Sequence, residues 1–251
     1  MMSTMGIALQ LYTVREQTAK DMLGTLRQLA QMGYRAVEFA GYGNALPATI
    51  RATLNTLGMR AVSAHVSYDR FANEFERVLE ELHLLGCDHA VIPWLAPELR
   101  VASSLPKLAE QFNEWGRRCN EAGVRFGYHN HDFEFARDER GETLFDTLAR
   151  ETDPTLVNLE IDVFWAEIAG VDPVELIRRH AGRVPLLHFK DRARSAERRD
   201  APVGEGTLDW PAILAAAREA GTEWLIVEQD YPRDPMADVE RSLRNLERLT
   251  A

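Results

Sequence analysis

Ionisable side chains recur at the ends of short apolar segments in this 251-residue sequence. The densest group is the segment Tyr-His-Asn-His-Asp-Phe-Glu, which contains His129, His131 and Glu134. Four further residues of this kind end later apolar segments: Asp162, His188, Lys190 and Glu228. Carboxylates and imidazoles bind divalent metals and transfer protons near neutral pH, so these residue types indicate metal-assisted acid–base chemistry.

Each of these residues taken alone has an ordinary structural role, as a hydrogen-bonded core histidine or a helix-capping carboxylate. Their recurrence on four consecutive apolar segments favours a shared site. Carboxylates gathered there would raise one another's pKa unless a cation lay between them. The sequence therefore predicts one divalent ion, and the donor set does not select among Mn, Co, Zn and Mg.

The apolar segments alternate with amphipathic helical patterns eight times. They are predicted as strands over Ile7–Tyr12, Ala36–Ala40, Ala61–Val66, Ala90–Trp94, Arg125–His131, Val157–Val163, Val184–Lys190 and Glu223–Glu228. Repeated strand–helix units form parallel sheets, and eight units in a chain of this length predict a (β/α)8 TIM barrel formed by a single domain, residues 1–251. No GxGxxG segment follows the first strand, which argues against a dinucleotide site.

Active sites of such barrels lie at the carboxyl ends of the strands. This rule adds Gln10, Glu38, His65 and Trp165 to the candidate substrate-binding residues. Trp94 is predicted to lie at the rim, where it would pack or stack against a sugar ring.

Other polar residues are predicted to take no part in metal binding. Glu160 shares the facing of Asp162 one layer deeper and is interpreted as a structural contact. His83, His89 and His180 fall on helices or at a strand start and are excluded.

The charge balance disfavours nucleic-acid binding, because 29 basic residues stand against 39 acidic ones and the formal net charge is −10. The basic segment 192–199 is interpreted as a solvated loop. Cys87 and Cys119 have no metal-site spacing and favour a reducing, cytoplasmic setting. Neither a signal peptide nor a membrane-spanning segment is predicted.

Several motifs together resemble the xylose-isomerase-like barrel family of sugar isomerases and epimerases, whose superfamily also includes inosose dehydratase and endonuclease IV. The motifs span nearly the whole chain. They are Leu-Gln-Leu-Tyr-Thr-Val-Arg from Leu9, Gly-Tyr-Arg-Ala-Val-Glu-Phe from Gly33, Tyr-His-Asn-His-Asp-Phe-Glu-Phe from Tyr128, Leu-Glu-Ile-Asp-Val-Phe-Trp from Leu159, Leu-His-Phe-Lys-Asp from Leu187, Val-Gly-Glu-Gly-Thr-Leu-Asp-Trp from Val203 and Ile-Val-Glu-Gln-Asp from Ile226.

The resemblance implies one divalent metal held by Glu, Asp, His and Glu from strands five to eight. Asp162, His188 and Glu228 match three of these positions. His129 stands where the epimerases have the strand-five glutamate. Glu134, five residues on, is the expected fourth ligand, and His129 as the ligand is the alternative.

The expected reaction is proton abstraction next to the carbonyl of a sugar or cyclitol, with the metal stabilising the enediolate. Isomerisation or epimerisation is the first expectation, and dehydration or lyase chemistry on the same site is the alternative. His129, Glu134 and Glu228 are the candidate acid–base groups. The expected substrate contacts are Gln10, Glu38, His65, His131, Trp165 and Lys190.

Two other classes of function are weighed against this one. A hydrolase of the endonuclease IV type is disfavoured by the acidic charge and the small number of histidines. A non-catalytic sugar-binding or accessory subunit is disfavoured by the intact ligand set. The expected partner is a small sugar or cyclitol, with no nucleic acid or membrane partner, and homo-oligomerisation is left open.

Overall fold

Eight parallel strands close into a barrel in the computed structural model, which describes residues 5–195 and 199–251. The ten strands of the described chain are β1 (Gly6–Gln10), β2 (Ala36–Phe39), β3 (Arg60–His65), β4 (His89–Ile92), β5 (Arg125–His129), β6 (Val157–Asp162), β7 (Leu186–Phe189), β8 (Asp191–Arg192), β9 (Asp200–Ala201) and β10 (Trp224–Val227). Around the barrel, β1 to β7 follow chain order and β10 closes the ring between β7 and β1. The predicted TIM barrel is confirmed.

Helices cover the outside of the barrel. They are α1 (Arg15–Met32), α2 (Pro47–Leu57), α3 (Tyr68–Asn73), α4 (Phe75–Leu85), α5 (Leu105–Glu121), α6 (Leu144–Glu151), α7 (Val163–Ile168), α8 (Pro173–Arg179), α9 (Trp210–Ala220) and α10 (Pro235–Thr250). On α5, the buried side chains Leu105, Leu108, Phe112 and Cys119 recur at helical spacing, which turns one face to the strands. No described helix, within 5–195 or 199–251, is both long and apolar enough to cross a membrane.

The barrel interior has two kinds of lining. Near the amino ends of the strands lies the apolar plug, six side chains at most 1% exposed: Ala8, Ala36, Val62, Val91, Leu186 and Ile226. Successive side chains of a strand point to opposite faces, so the residue two positions on faces the same way. Two positions beyond four members of the plug lie Gln10, Glu38, His188 and Glu228.

The hairpin of β8 and β9 interrupts the crossover between β7 and β10. Asp191 anchors this loop by accepting hydrogen bonds from the backbone N–H groups of Gly204 and Gly206, both 2.9 Å, and from Trp210 Nε1 at 2.8 Å. A Cβ atom at Gly206 would lie 2.2 Å from the Arg192 carbonyl oxygen, so only glycine allows this approach. The hairpin was not predicted, because two-residue strands carry no readable periodicity.

Candidate active site

One donor atom from each of His129, Asp162, His188 and Glu228 lies within 4.8 Å of the others, and we call these residues the upper cluster. The first two end β5 and β6, His188 lies in β7, and Glu228 directly follows β10. All four are buried, with exposures of 4% or less. The carboxyl ends of four neighbouring strands thus bring together residues that are far apart in sequence.

Local structure aims the Asp162 carboxylate. Its Oδ1 atom caps helix α7 by accepting from the N–H groups of Phe164 at 2.9 Å and Trp165 at 3.0 Å. Its Oδ2 atom lies 2.9 Å from Lys190 Nζ and 3.8 Å from His129 Nε2. The cap orients the side chain and leaves the second oxygen for the cluster.

Lys190 lies between the carboxylates of the upper cluster. Its ammonium group is 2.9 Å from Asp162 Oδ2, 2.6 Å from Glu228 Oε2 and 2.9 Å from Asp230 Oδ2. Burial raises the pKa of Asp162 to about 6, although Lys190 and His188 oppose that rise. Burial would also raise the pKa of Glu228, but Lys190 and then His188 lower it well below its usual value. Glu228 is therefore ionised at neutral pH.

A lower cluster, formed by His65, His129, Glu160 and His188, lies beside the upper one and shares two of its imidazoles. Glu160 Oε2 lies 2.7 Å from His65 Nε2, 3.1 Å from His129 Nδ1 and 3.2 Å from His188 Nε2. One buried carboxylate oxygen therefore contacts three imidazole rings. The sequence predicts Glu160 to be a structural polar contact inside the barrel and not a metal ligand. Its backbone does pair with Leu186 of the plug, but its side chain reaches up to the histidines.

Glu38 supports His188 from the same side. Its Oε2 atom lies 2.7 Å from His188 Nε2 and accepts from Gln10 Nε2 at 2.7 Å. The other oxygens of Glu38 and Glu160 are buried without a hydrogen-bond partner among the described residues. Such unpaired buried oxygens are costly, and they belong to a site rather than to ordinary core packing.

The charges of the lower cluster are divided unequally. Burial raises the pKa of Glu38, and the neighbouring Glu160 adds to that rise. Burial would raise the pKa of Glu160 too, but His188, His65 and His129 hold it well below its usual value. Burial alone would lower the pKa of His188, yet Glu160, Glu228 and Glu38 raise it well above its usual value. Burial and then His188 lower the pKa of His129, which is therefore neutral.

The donor set fits a divalent metal. Two carboxylates and two imidazoles converge in a buried site, and this mixture is typical of Zn, Mn and Co centres. His188 Nδ1 lies 2.8 Å from Glu228 Oε2, so two of the candidate donor groups are in direct contact. An ion would also balance the negative charge that Lys190 alone offsets only in part.

A cavity of about 690 Å³ opens above the upper cluster. Its buried and half-buried lining includes His65, His131, Trp165, Lys190 and Glu228. Burial, followed by the charge of Lys190, lowers the pKa of His131 to about 3. His131 Nδ1 and Trp165 Nε1 are buried and find no hydrogen-bond partner in the described parts of the chain, so both are available to a polar ligand.

Glu134 lies outside both clusters, although the sequence predicted it as the fourth ligand and as an acid–base group. It sits in a 3-10 turn, Phe133–Phe135, which directs its carboxylate back into its own loop. One oxygen accepts from the Tyr128 hydroxyl and the other from the His131 N–H at 2.8 Å. Burial raises the pKa of Glu134 to about 7. The strand-five member of the upper cluster is instead His129.

The predicted substrate contacts divide into two groups. His65, His131, Trp165 and Lys190 line the cavity. Gln10 and Glu38 are fully buried and lie behind the histidines rather than on the cavity wall.

The excluded histidines lie outside both clusters. His83 contacts the Ala122 carbonyl, His89 contacts the Val62 carbonyl, and His180 packs against Phe145.

Among the cavity residues to which the sequence gave no role are Tyr12, Asp230 and Tyr231. Asp230 stands two positions after Glu228, so its side chain is expected to point to the same side as those of the site residues. That period of two is the signal that would have assigned it.

Comparisons with known proteins agree on the barrel family. Residues 26–249 match the family model described as xylose isomerase-like TIM barrel. The chain is 30% identical to the inosose dehydratase of Geobacillus kaustophilus in an alignment of 250 residues, covering 84% of this chain and 80% of that protein.

Two solved structures are similar over almost the full chain. A sugar phosphate isomerase/epimerase from Parabacteroides distasonis has a TM-score of 0.83 and 26% identity, covering 98% of this chain and 94% of that one. The IOLI protein with a bound zinc atom has a TM-score of 0.76 and 15% identity, covering 98% of each chain. At that lower identity, the likeness shows a shared fold.

Proposed function

The chain belongs to the xylose isomerase-like TIM barrel family, and on that premise we propose that it removes the proton next to the carbonyl of a keto-sugar or keto-cyclitol. The observation that carries this proposal is the upper cluster beneath the cavity, with the ionised Glu228 facing it. A carboxylate held ionised, beside polar groups that lack protein partners, is suited to accept a proton from a polyhydroxylated ligand.

His129, Asp162, His188 and Glu228 would hold a divalent cation, which we propose to be Mn, Co, Zn or Mg. When bound, such an ion supplies positive charge that stabilises negative charge developing on the substrate carbonyl oxygen. The zinc atom in the IOLI protein supports this part of the proposal. The buried, unpaired oxygens of Glu38 and Glu160 beside the upper cluster support it as well.

Glu160 would orient two of the metal ligands. Contact of Glu160 Oε2 with His129 Nδ1 and His188 Nε2 places the ring N–H of each histidine on the lower side. His129 Nε2 is then left for the upper cluster, and His188 Nδ1 becomes a ligand when the metal displaces the proton that its carboxylate neighbours hold on the ring. Carboxylates that fix the tautomer of a ligating histidine are common partners of metal sites.

Substrate hydroxyls would bind the groups that lack protein partners. Trp165 Nε1 donates, and the neutral His131 ring accepts or donates according to its tautomer. Lys190 Nζ, which pairs with Asp162, Glu228 and Asp230, would hold the Glu228 carboxylate beside the position of proton removal.

Dehydration is the outcome that we place first. A C–H bond and the neighbouring C–O bond break, a C=C bond forms beside the carbonyl, and the hydroxyl leaves as water after taking the proton that Glu228 removed from carbon. The relationship to inosose dehydratase supports it. The residues support it too, because the strand-five member of the upper cluster is a neutral imidazole, His129, rather than a second glutamate that could return the proton to carbon.

Isomerisation or epimerisation is the second candidate, and the similarity to a sugar phosphate isomerase/epimerase favours it. Here the abstracted proton returns to carbon, at the neighbouring position or from the opposite face, and no water is lost. Both candidates share the first step and differ in the fate of the carbanion.

One experiment tests the shared step and separates the outcomes. The metal-loaded protein is incubated in D2O with an inosose and with 3-keto-glucose, and the products are analysed by NMR and mass spectrometry. Dehydration lowers the product mass by that of one water, whereas isomerisation or epimerisation retains the oxygen and adds deuterium. Failure to exchange or eliminate with every metal and both ketones, from a protein that binds metal, would reject the proposal.

Glu228→Gln is the variant for this experiment, and Glu223→Gln is its matched control. Glu223 lies at the opposite end of β10 and pairs with Arg125 at 2.6 Å, far from the cavity lining. We expect turnover to be lost in the first variant and retained in the second.

A further inference from the structure

Three aromatic side chains around the opening of the cavity are exposed to solvent. Tyr12 is 41% exposed, Trp94 47% and Tyr231 67%, and all three line the cavity that contains Glu228. We call these residues the aromatic rim. They are half of the six exposed large hydrophobic side chains among the described residues, the others being Leu46, Leu84 and Val101. Scattered exposed apolar residues are ordinary, but three aromatic rings around one opening mark a binding surface.

The rim has two sides. Tyr12 follows β1 and Tyr231 lies beyond β10, and these two strands are neighbours in the barrel. Trp94 follows β4, which is separated from β1 by β2 and β3. The tyrosines and the tryptophan therefore face the opening from different sides.

Arginine side chains hold two of the rings in place. The Arg15 guanidinium lies 4.2 Å from the centre of the Tyr12 ring and donates to the carbonyls of Tyr12 and Asp230. The Arg100 guanidinium lies 4.6 Å from the centre of the Trp94 ring and 3.5 Å from that of Phe133. Rings fixed before a ligand arrives lose little conformational entropy on binding, which favours their use as stacking surfaces.

The charged lining of the cavity does not suit a phosphate group. Lys190 is the one lysine or arginine among the described residues that line it, and three carboxylates already pair with this lysine. Glu228 and Asp230, which also line the cavity, would repel a dianion. The two guanidinium groups at the rim stack on aromatic rings.

We propose that the substrate is an uncharged glycoside whose reacting ring lies over the upper cluster while a second ring stacks on the aromatic rim. This inference rests on the proposed function and names the substrate class for the same site. A cavity of about 690 Å³ lies in the range that holds ligands larger than one sugar ring. The distal ring is a sugar or an aromatic group, since both offer a flat face to tryptophan and tyrosine.

The test is isothermal titration calorimetry of the full chain with four probes: glucose, phenyl glucoside, cellobiose and glucose 6-phosphate. We expect a probe with a second ring to bind roughly three- to tenfold more tightly than glucose, the gain typical of one stacked ring. Glucose 6-phosphate should show no gain. A larger gain in affinity for phenyl glucoside identifies the distal ring as aromatic, and a larger gain for cellobiose identifies it as a sugar.

Trp94→Ala and Tyr231→Ala test the rim itself. At least one of them should reduce the affinity ratio between the two-ring probe and glucose to about one, because the stacking surface is gone. Leu84→Ala is the control, since Leu84 is 46% exposed on α4 and lies outside the cavity lining. It should preserve the ratio of the unmodified protein.

Three results would overturn the proposal. They are equal affinity for glucose and both two-ring probes, failure of both two-ring probes to bind, and tighter binding of glucose 6-phosphate than of phenyl glucoside and cellobiose. The proposed function is measured separately, by deuterium exchange. If the protein exchanges deuterium into a ketone but binds two-ring probes no more tightly than glucose, the glycoside inference alone is rejected. If it binds a two-ring probe more tightly but exchanges deuterium into no ketone, the proposed proton removal alone is rejected.

Discussion

The two ends of the barrel interior are built from the same strands but from opposite kinds of side chain. Near the amino ends lies the apolar plug, with Ala8, Leu186 and Ile226 among its members. Two residues further along those strands come Gln10, His188 and Glu228. These three strands, β1, β7 and β10, therefore contribute to stability at one end and to the site at the other.

Burying side chains contributes free energy of opposite sign at the two ends. Burying aliphatic surface stabilises the fold by roughly 25 cal/mol per Å². Burying carboxylates opposes folding unless each finds a partner, which is why Glu160 contacts three imidazoles and Lys190 three carboxylates. Substitutions in the plug should therefore change the free energy of unfolding more than metal binding or turnover. Substitutions in the clusters should change metal binding and turnover more than the free energy of unfolding.

The largest expected effect is that of Glu228→Gln on turnover. Removing the ionised carboxylate should lower the rate of deuterium exchange by about 10² to 10⁴, the usual contribution of a positioned base. Glu223→Gln, at the other end of β10, should retain the rate, because its pair with Arg125 is largely exposed. Exchange rates for both variants are measured by NMR in D2O. Equal losses of exchange rate in Glu228→Gln and Glu223→Gln would contradict the assignment of proton removal to the carboxyl end of the barrel.

Ile226→Ala should act on the plug. Ile226 is fully buried there, so the cavity left behind should lower the free energy of unfolding by about 2–4 kcal/mol. Urea unfolding of the metal-free protein gives this value, and a chelator competition gives metal affinity, which should stay within about twofold of the unmodified protein. A variant of normal stability that had lost metal would contradict the division between plug and site.

Glu160→Gln should act on metal binding. The amide no longer accepts from both ligating histidines as a carboxylate does, and metal affinity should fall about 10- to 100-fold. Chelator competition measures the affinity, and ¹⁵N spectra of the histidine rings report the tautomers of His129 and His188. Unchanged tautomers and unchanged affinity would show that Glu160 is only a packing partner.

The smallest effect concerns Glu134 and pH. Its folded-state pKa of about 7 lies above the usual 4.5, so the folded protein binds this proton more tightly than the unfolded chain. The associated stability is present below about pH 4.5 and is lost as pH rises through 7. Between pH 5 and 8 the free energy of unfolding should fall by on the order of 1–2 kcal/mol more in the unmodified protein than in Glu134→Gln.

Thermal unfolding at several pH values measures that difference. Parallel pH profiles for the two proteins would show that Glu134 does not carry a raised pKa.

Sequence periodicity predicted the barrel because each strand has an apolar segment and each helix an apolar face. All eight predicted barrel strands overlap observed ones, although each predicted segment extends one or two residues past the observed carboxyl end, since backbone pairing stops where loops begin. The facing of Asp162, His188 and Glu228 followed from the same alternation.

The contrast between Glu160 and Glu134 shows what periodicity does not convey. Glu160 starts one layer below the site, and only the length and direction of its side chain bring it among the histidines. Glu134 is close to the site in sequence, but a single 3-10 turn directs it to the Tyr128 hydroxyl. Side-chain reach and turn direction depend on three-dimensional packing rather than on spacing along the chain.

Metal content is the most direct measurement of the central claim. The protein is purified without added metal, incubated with Mn, Co, Zn or Mg, dialysed and analysed by elemental mass spectrometry beside Asp162→Ala. We expect about one equivalent of a divalent metal in the unmodified protein and its loss in the variant, since Asp162 Oδ2 faces the upper cluster. An unmodified protein that stays metal-free after every incubation, or a variant that keeps its full equivalent, would contradict it.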